Sequence, residues 1–228
     1  MMMTKTETST ARRPIKVVLI DDHPIVRQGL RDLIANETDI EVCGEAGSIS
    51  TALEVIQECA PNVAVVDLTL GTESGLDLVK DITGRFPEVK VLVLSMHDEA
   101  FYAERILRAG ALGYVNKSEP GEKLIRAIRR ASGGQAVLSS ATTVHFLRRG
   151  AGGSAPAKSG VANLSDRELQ VFELVGAGLS SRDIATQLCV SVKTVESHLE
   201  HIKVKLDVSS GRELVRRATM WVEGNHKP

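Results

Sequence analysis

Five polar residues directly follow or end short apolar runs in the first half of this 228-residue chain. Asp21 and Asp22 follow the first run, Asp67 follows the second, Ser95 ends the third and Lys117 comes after the fourth. Such β-branched runs are typical of buried parallel strands. Ligands bind beyond the carboxyl ends of these strands in open α/β sheets. The sequence therefore predicts that three carboxylates, a hydroxyl and an ammonium meet at one sheet edge.

These groups have the chemistry of a site for a divalent cation and a phosphoryl group. Neighbouring carboxylates repel one another, and Mg²⁺, which prefers octahedral oxygen ligands, relieves that repulsion. A carboxylate made approachable in this way can attack phosphorus and form an aspartyl-phosphate. Asp67 is the predicted nucleophile, and Lys117 and Ser95 are predicted to donate to the phosphoryl oxygens.

Strands and helices must alternate to place these residues. The predicted strands are Lys16–Ile20, Glu41–Glu45, Val63–Asp67, Val89–Ser95 and Gly113–Asn116. The predicted helices are Pro24–Ala35, Ser50–Cys59, Ser74–Arg85, Glu99–Ala109 and Gly121–Ala131. Five strand–helix units of this kind predict an α/β domain with a doubly wound, parallel, five-stranded sheet.

The composition changes after this domain. Residues 149–160 are rich in glycine, alanine and serine, which is typical of a flexible linker. We therefore expect a disordered tail over residues 1–14 and the α/β domain over 15–135. A connecting helix and linker are expected over 136–162, and a small all-α domain over 163–228.

Helix-capping signals divide the C-terminal domain into four helices. Ser165 and Glu168 form a predicted capping box, Ser180 and Ser191 are predicted caps, and a fourth helix follows Gly211. The predicted inward residues are Val192, Val195, Leu199, Ile202 and Leu206 in the third helix and Leu214, Val215, Ala218 and Trp221 in the fourth. A short helix, a tight turn and a longer helix with a polar face indicate a helix-turn-helix.

Composition and charge narrow the class of protein. The formal net charge is −1, so no overall basic field indicates a nucleic-acid partner. The cysteines, Cys43, Cys59 and Cys189, lack metal-ligand spacing and are expected to be small buried hydrophobes in a reducing compartment. No secretory signal is visible, and no apolar stretch approaches the roughly 20 residues needed to span a bilayer. We expect a cytoplasmic protein without membrane contact.

The order Asp21-Asp22, Asp67, Ser95, Lys117 resembles that of receiver domains of bacterial two-component response regulators. The spacings of 28 residues from Asp67 to Ser95 and 22 from Ser95 to Lys117 fit that family. The resemblance covers about residues 16–133. The motif Asp22-His23-Pro24 and the segment 110–115 are similar to the NarL/FixJ branch.

This resemblance implies a flavodoxin-like fold and a set of roles. Asp67 would accept a phosphoryl group from the phosphohistidine of a sensor histidine kinase. Asp22, Asp67 and the backbone carbonyl of Thr69 would ligate Mg²⁺, with Asp21 acting through water. Ser95 would keep the hydroxyl that is more often a threonine in the family.

Three further positions beside this site carry expectations of their own. Gly71 stands where the family often has proline, and its presence is expected to loosen the loop without affecting the ligands. His23 is expected to be a loop histidine rather than a ligand. Tyr114 is expected either to pack or to act with Ser95 as a rotamer switch.

The segment from Ser191 to His198 is similar to the LuxR-type DNA-binding domain, and this resemblance covers about residues 163–221. It implies that the third helix of the domain enters the major groove and that the fourth helps a dimer form. Residues 163–228 contain nine Lys/Arg and nine Asp/Glu, so non-specific affinity for DNA is expected to be weak. The predicted DNA contacts are Ser181, Lys193, Thr194, Glu196, Ser197, Glu200, His201, Lys203 and Lys205.

Three functions compete at this point. The first is a transcription factor whose dimerisation and promoter binding are controlled by phosphorylation, with Mg²⁺-assisted self-phosphorylation and autodephosphorylation as its only chemistry. The second is an aspartyl-phosphate phosphatase, but Thr69 stands where such enzymes usually carry a second aspartate. The third is a phosphorylation-independent regulator that uses the receiver for dimerisation. Under the first, the expected partners are a histidine kinase, double-stranded promoter DNA, a second copy of the chain and, as a further candidate, RNA polymerase.

Overall fold

The computed structural model describes residues 13–71, 73–96, 99–140, 142–144 and 160–225. Its strands are β1 (Ile15–Ile20), β2 (Ile40–Ala46), β3 (Val63–Val66), β4 (Thr69–Leu70), β5 (Glu73–Ser74), β6 (Lys90–Ser95) and β7 (Gly113–Asn116). Its helices are α1 (Pro24–Ile34), α2 (Ile49–Cys59), α3 (Gly75–Arg85), α4 (Glu99–Arg108), α5 (Gly121–Ser132), α6 (Asp166–Gly176), α7 (Ser181–Gln187), α8 (Val192–Leu206) and α9 (Gly211–Asn225), with a 3₁₀ helix at Gly160–Asn163.

Five parallel strands form the sheet that the sequence predicts, in the order β2-β1-β3-β6-β7. The direction of strand succession reverses at β1, which pairs with β2 on one side and β3 on the other. A crevice opens at such a reversal, beyond the carboxyl ends of the strands. The doubly wound α/β fold is therefore confirmed, and its switch point lies beside Asp21 and Asp67.

Alternating side chains of the central strands fill two cores. Val18 and Ile20 of β1 belong to the cluster that includes residues of α2, α3 and α4, whereas Val17 and Leu19 belong to the cluster with α1 and α5. Residues two apart in a strand face the same side of a sheet, so a run of consecutive apolar residues buries both faces. This packing holds the strand ends, and the residues just beyond them, in fixed positions.

The C-terminal helices begin at the predicted caps. The Ser165 Oγ accepts the Glu168 N–H, and the Glu168 carboxylate accepts the Ser165 N–H, as expected for a capping box. Ser180 and Ser191 likewise accept backbone N–H groups at the starts of α7 and α8. Helices α7 and α8 with their short turn form the predicted helix-turn-helix.

Two predicted inward residues and one cysteine are exposed instead. Val192 is the first residue of α8 and lies beyond the end of its buried stripe, and Val215 lines an open cavity of about 410 Å³ between α8 and α9. Cys189 is exposed in the turn before α8, while Cys43 and Cys59 are half-buried. Burial raises the pKa of Cys43 to about 11, so that residue is a protonated, weakly reactive thiol.

Two predicted segments lie largely outside the described residues. They are the N-terminal tail, of which residues 1–12 are not described, and the linker, of which residues 145–159 are not described. Within the described ranges, no helix is both long enough and apolar enough to cross a bilayer.

Candidate functional site

The predicted acidic residues meet at the carboxyl edge of the sheet. Asp21 follows β1 and Asp67 follows β3, and both are buried. One potential ligand atom from each of Asp21, Asp22, His23 and Asp67 lies within 4.8 Å of all the others. The strand ends therefore bring together the carboxylates that the sequence predicts, with an imidazole beside them.

Lys117 bridges two of these carboxylates. Its Nζ lies 2.6 Å from Asp21 Oδ2 and 2.6 Å from Asp67 Oδ2. Burial raises the pKa of Asp67 above its usual value, although Lys117 partly offsets this effect. Burial alone would lower the pKa of Lys117, but the carboxylates of Asp67 and Asp21 outweigh it, and the pKa is raised. The lysine therefore stays charged within the site.

Gly71 helps to orient a predicted metal ligand. Its backbone N–H donates to Asp22 Oδ2 at 2.9 Å, and its φ of +58° lies in the left-handed region that favours glycine. Proline has no N–H and a φ near −65°, so it could not make this contact. The expectation that glycine here leaves the ligands untouched is wrong, because Gly71 holds the Asp22 carboxylate.

Gly75 allows α3 to start close to the predicted phosphoacceptor. A Cβ at this position would lie 2.0 Å from the Asp67 carbonyl oxygen, which no side chain can tolerate. The Gly75 N–H donates to the Leu68 carbonyl at 2.9 Å and closes the loop that contains the β4–β5 hairpin. That hairpin is absent from the sequence prediction because each of its strands has only two residues.

Ser95 and Tyr114 lie next to the acidic site on the neighbouring strands. Ser95 is buried at the end of β6, and its carbonyl accepts both the Lys117 N–H at 2.9 Å and the Tyr114 hydroxyl at 3.2 Å. The Tyr114 ring is also buried, so it already occupies an inward position in this structure. Its movement as a switch stays a prediction.

The donor set fits a hard divalent cation. Asp22 Oδ1 is buried and has no hydrogen-bond partner among the described residues. A buried carboxylate oxygen without a donor is costly unless a cation binds it. The surrounding carboxylate oxygens are ligands that Mg²⁺ prefers.

The predicted DNA contacts lie mostly on the surface of α8. Lys193, Thr194, Ser197 and His201 are exposed. Glu196 and Glu200 are exposed as well, but they border the cavity shared with α9, as do the half-buried Ser181 and Lys203. The outward face of α8 is therefore open to solvent and available to a partner.

Two of the predicted DNA-contacting lysines have partners within the domain. Lys205 Nζ lies 2.6 Å from Glu168 Oε2, and this carboxylate also belongs to the capping box of α6. Lys203 Nζ lies 2.7 Å from Glu200 Oε1. These pairs reduce the positive charge that α8 can offer to phosphates, which agrees with the neutral charge balance of the domain.

One exposed apolar residue on α8 is missing from the sequence prediction. Val204 is 79% exposed. It lies one helical turn from Glu200 and two turns from Ser197, on the same face of α8. A valine on an otherwise polar face can contact a thymine methyl group. The 3.6-residue period identifies this position, since it shares a face with the predicted contacts.

The receiver contacts the DNA-binding domain through α4. Arg105 Nη1 lies 2.8 Å from Asp166 Oδ1, at the start of α6, and Arg105 Nη2 donates to the Val161 carbonyl at 3.3 Å. The buried Tyr102 donates its hydroxyl to Glu173 Oε2 at 3.5 Å. The outward face of α8 takes no part in these contacts. The sequence alone does not indicate this interface, because it joins residues about 60 positions apart.

Two family models match the chain. Residues 17–129 match the response regulator receiver domain, and residues 162–218 match the bacterial regulatory proteins of the luxR family. The first match covers the sheet with its acidic site, and the second covers the helices around α7 and α8.

Two known proteins are similar over more than half of the chain. The oxygen regulatory protein NreC of Staphylococcus haemolyticus is 36% identical over 209 residues, which are 90% of this chain and 96% of the relative. A LuxR-family two-component response regulator from Aurantimonas sp. is 30% identical, with a TM-score of 0.56 over 60% of this chain and 99% of that chain.

A second similar structure contains DNA. RcsB from Salmonella enterica serovar Typhimurium, bound to a promoter in the presence of a phosphomimetic, is 25% identical, with a TM-score of 0.59 over 91% of this chain and 99% of that chain. The matching domains, their order and the geometry of the acidic site agree. The chain therefore belongs to the two-component response regulators of the NarL/FixJ family, which join a receiver domain to a LuxR-type helix-turn-helix domain.

Proposed function

We propose that this protein is a cytoplasmic transcription factor whose promoter binding is controlled by phosphorylation of Asp67. The main support for this proposal is the position of Asp67. Its carboxylate is buried at the sheet edge and is bridged to Asp21 by the Lys117 ammonium. A histidine kinase is the proposed phosphodonor, because receiver domains of this family take their phosphoryl group from one.

The proposed chemistry is a phosphoryl transfer to a carboxylate. An Asp67 oxygen attacks the phosphorus of a phosphohistidine, the P–O bond forms and the P–N bond breaks. The electron pair of the broken bond returns to the imidazole of the donor, which takes up a proton. Lys117 and the Ser95 hydroxyl are proposed to donate to the phosphoryl oxygens, so the protein mainly orients the groups and neutralises charge. Hydrolysis of the aspartyl-phosphate by water then returns the protein to its resting state.

Asp22, Asp67 and the Thr69 carbonyl are the groups that would hold Mg²⁺, with Asp21 acting through water. The bound ion would neutralise negative charge on the incoming phosphoryl group. Asp22 is best prepared for this role, because Gly71 orients its carboxylate and Asp22 Oδ1 is left without a hydrogen-bond donor among the described residues.

We expect Asp22→Ala to weaken Mg²⁺ binding by at least about tenfold, since even residues that only orient metal ligands cost about 10–100-fold when removed. Asp21→Ala should cost less, because it is proposed to act through water. Calorimetric titration of the full chain with Mg²⁺ measures both losses. Unchanged affinity in both variants would contradict the assignment of the metal ligands.

The DNA-binding part of the proposal rests on the exposed face of α8. This helix-turn-helix is proposed to place α8 in the major groove, where Lys193, Thr194, Ser197 and Glu200 can reach base edges or phosphates. A homodimer would set two such helices about 34–36 Å apart on an inverted repeat. RNA polymerase is a further proposed partner at the promoter.

Coupling between the domains is proposed to act through α4. The Arg105–Asp166 pair is partly buried and joins the receiver directly to the start of α6. A phosphoryl group at Asp67 adds about −1.5 to −2 charges, and Lys117 is proposed to turn toward it from Asp21. A rearrangement of β7 and α4 would then release the helical domain and make it available for dimerisation.

We expect Arg105→Ala to raise the DNA affinity of the unphosphorylated protein by about fivefold, the lower end of typical coupling between sites. Arg108→Ala is the matched control, because the exposed Arg108 lies on the same helix but pairs only with Glu104 of that helix among the described residues. Gel-shift titrations of both variants measure the effect. Equal affinities for wild type and Arg105→Ala would mean that this pair does not restrain the DNA-binding domain.

Labelling with acetyl phosphate, with and without Mg²⁺, tests the proposed function against its alternatives. Mg²⁺-dependent incorporation of phosphate supports the phosphorylation-controlled regulator. Absence of incorporation would favour a phosphorylation-independent regulator. Rapid turnover of added phosphate esters would favour a phosphatase, which Thr69 disfavours because it lacks the carboxyl group needed for a general acid.

A further inference from the structure

We propose that His23 supplies a nitrogen ligand to the cation site, which raises the affinity of the site for a first-row transition-metal ion relative to its affinity for Mg²⁺. The proposal rests on the cation site of the proposed function and concerns which ion that site prefers. The sequence alone favours a loop histidine at this position, but the position of the ring points to a ligand.

The His23 imidazole has the spacing of a ligand relative to both acidic neighbours. Its Nδ1 lies 2.7 Å from Asp22 Oδ1 and 3.3 Å from Asp21 Oδ1. Two oxygen or nitrogen atoms at right angles around one octahedral ion, each about 2.1 Å from it, are about 3.0 Å apart. These distances are therefore close to those between adjacent ligands of a single ion.

Asp22 Oδ1 lies at ion-pair distance from His23 Nδ1 but is not hydrogen-bonded to it. It is buried and accepts no hydrogen bond from the described residues, although His23 Nδ1 is near it. The other oxygen of the same carboxylate accepts the Gly71 N–H, which fixes the orientation of the group. A cation shared by Asp22 and His23 would satisfy the buried oxygen.

Lys117 contacts different carboxylate oxygens from those that face His23. Its Nζ contacts Oδ2 of Asp21 and Oδ2 of Asp67, whereas His23 faces Oδ1 of Asp21. The His23 N–H donates to the same Asp21 Oδ1 at 2.8 Å and holds the start of α1 against the site. The imidazole is 64% exposed, so an ion can reach it from solvent without disturbing the core.

A nitrogen ligand changes the preference of an oxygen site. Mg²⁺ is a hard cation that binds carboxylates and retains water, whereas imidazole suits iron, nickel, copper and zinc ions. Removing the imidazole should therefore weaken binding of a transition metal more than binding of Mg²⁺. The ratio of the two affinities reports the role of His23 separately from the existence of the site.

Calorimetric titration of the untagged full-length protein with Ni²⁺ and with Mg²⁺ tests this proposal. We expect His23→Ala to raise the Kd for Ni²⁺ by about tenfold or more and the Kd for Mg²⁺ by less than about twofold, because only Ni²⁺ gains from the nitrogen. His23→Gln, which keeps a polar side chain, should give the same result. His201→Ala removes an exposed histidine of α8 and should change neither constant.

An affinity ratio for Ni²⁺ and Mg²⁺ that is the same in wild type and both His23 variants would overturn the proposal. If Asp22→Ala still abolished Mg²⁺ binding in that case, the cation site of the proposed function would stand and only the ligand role of His23 would be refuted. An equal loss of Ni²⁺ affinity in His201→Ala would assign the ion to surface imidazoles and would also refute it.

Discussion

Asp67→Asn should abolish Mg²⁺-dependent incorporation of phosphate from acetyl phosphate. The amide is nearly isosteric with the carboxylate but is not a nucleophile toward phosphorus, so the reaction loses its acceptor. The fold should persist, because Asp21 keeps its 2.6 Å contact with Lys117 and the change removes one of three neighbouring negative charges. Radiolabelling, with circular dichroism as the check on folding, measures both outcomes.

Asp77→Asn is a suitable control for that experiment. Asp77 is an exposed aspartate in the first turn of α3, where it pairs with Lys80. This control should incorporate phosphate as the wild type does. Wild-type labelling in Asp67→Asn would place the phosphoacceptor elsewhere in the chain.

Lys117→Ala should separate phosphorylation from its effect on DNA binding. The variant keeps Asp67 and the proposed metal ligands, so it should still incorporate phosphate, but more slowly, because Lys117 is also proposed to donate to the phosphoryl oxygens. It loses the ammonium that bridges Asp21 and Asp67. This ammonium is the group proposed to turn from Asp21 toward the phosphoryl group. Phosphorylation is expected to tighten operator binding by about tenfold or more in the wild type and by less than about twofold in this variant.

Lys90→Ala is the matched control for the loss of a lysine. Lys90 starts β6 at the opposite end of the same sheet and contacts the Pro87 carbonyl. Its loss should leave the response to phosphorylation unchanged. Gel shifts of phosphorylated and unphosphorylated protein compare the variants. A full response in Lys117→Ala would show that the ammonium is not needed for coupling.

The sequence predicts the fold well because local and non-local signals agree. Apolar runs such as Val63–Val66, in alternation with helical patterns, indicate strands buried on both faces, and serine caps such as Ser165 mark helix starts. Predictions for single exposed positions are weaker. Val192 and Val215 follow the helical spacing of core residues, but each lies at the edge of the surface where its helix packs against the others. The position of that edge depends on how the neighbouring helices are arranged.

The acidic site is predicted from strand order, whereas its finer contacts are not. Asp21, Asp67 and Lys117 meet because parallel strands end at one edge. The contact from Gly71 to Asp22 depends on a positive φ in a loop, and the approach of His23 depends on a side-chain rotamer. Neither is visible in residue order, and the Arg105–Asp166 contact likewise arises only when two domains pack together.

The affinity of the wild-type protein for its operator, measured with and without phosphate on Asp67, tests the central claim most directly. Selection from random DNA with phosphorylated protein supplies the operator, and gel shifts supply the two dissociation constants. We expect phosphorylation to lower the Kd by about tenfold or more and Asp67→Asn to remove this difference. Equal dissociation constants for the phosphorylated and unphosphorylated wild type would contradict it and leave a constitutive DNA-binding protein.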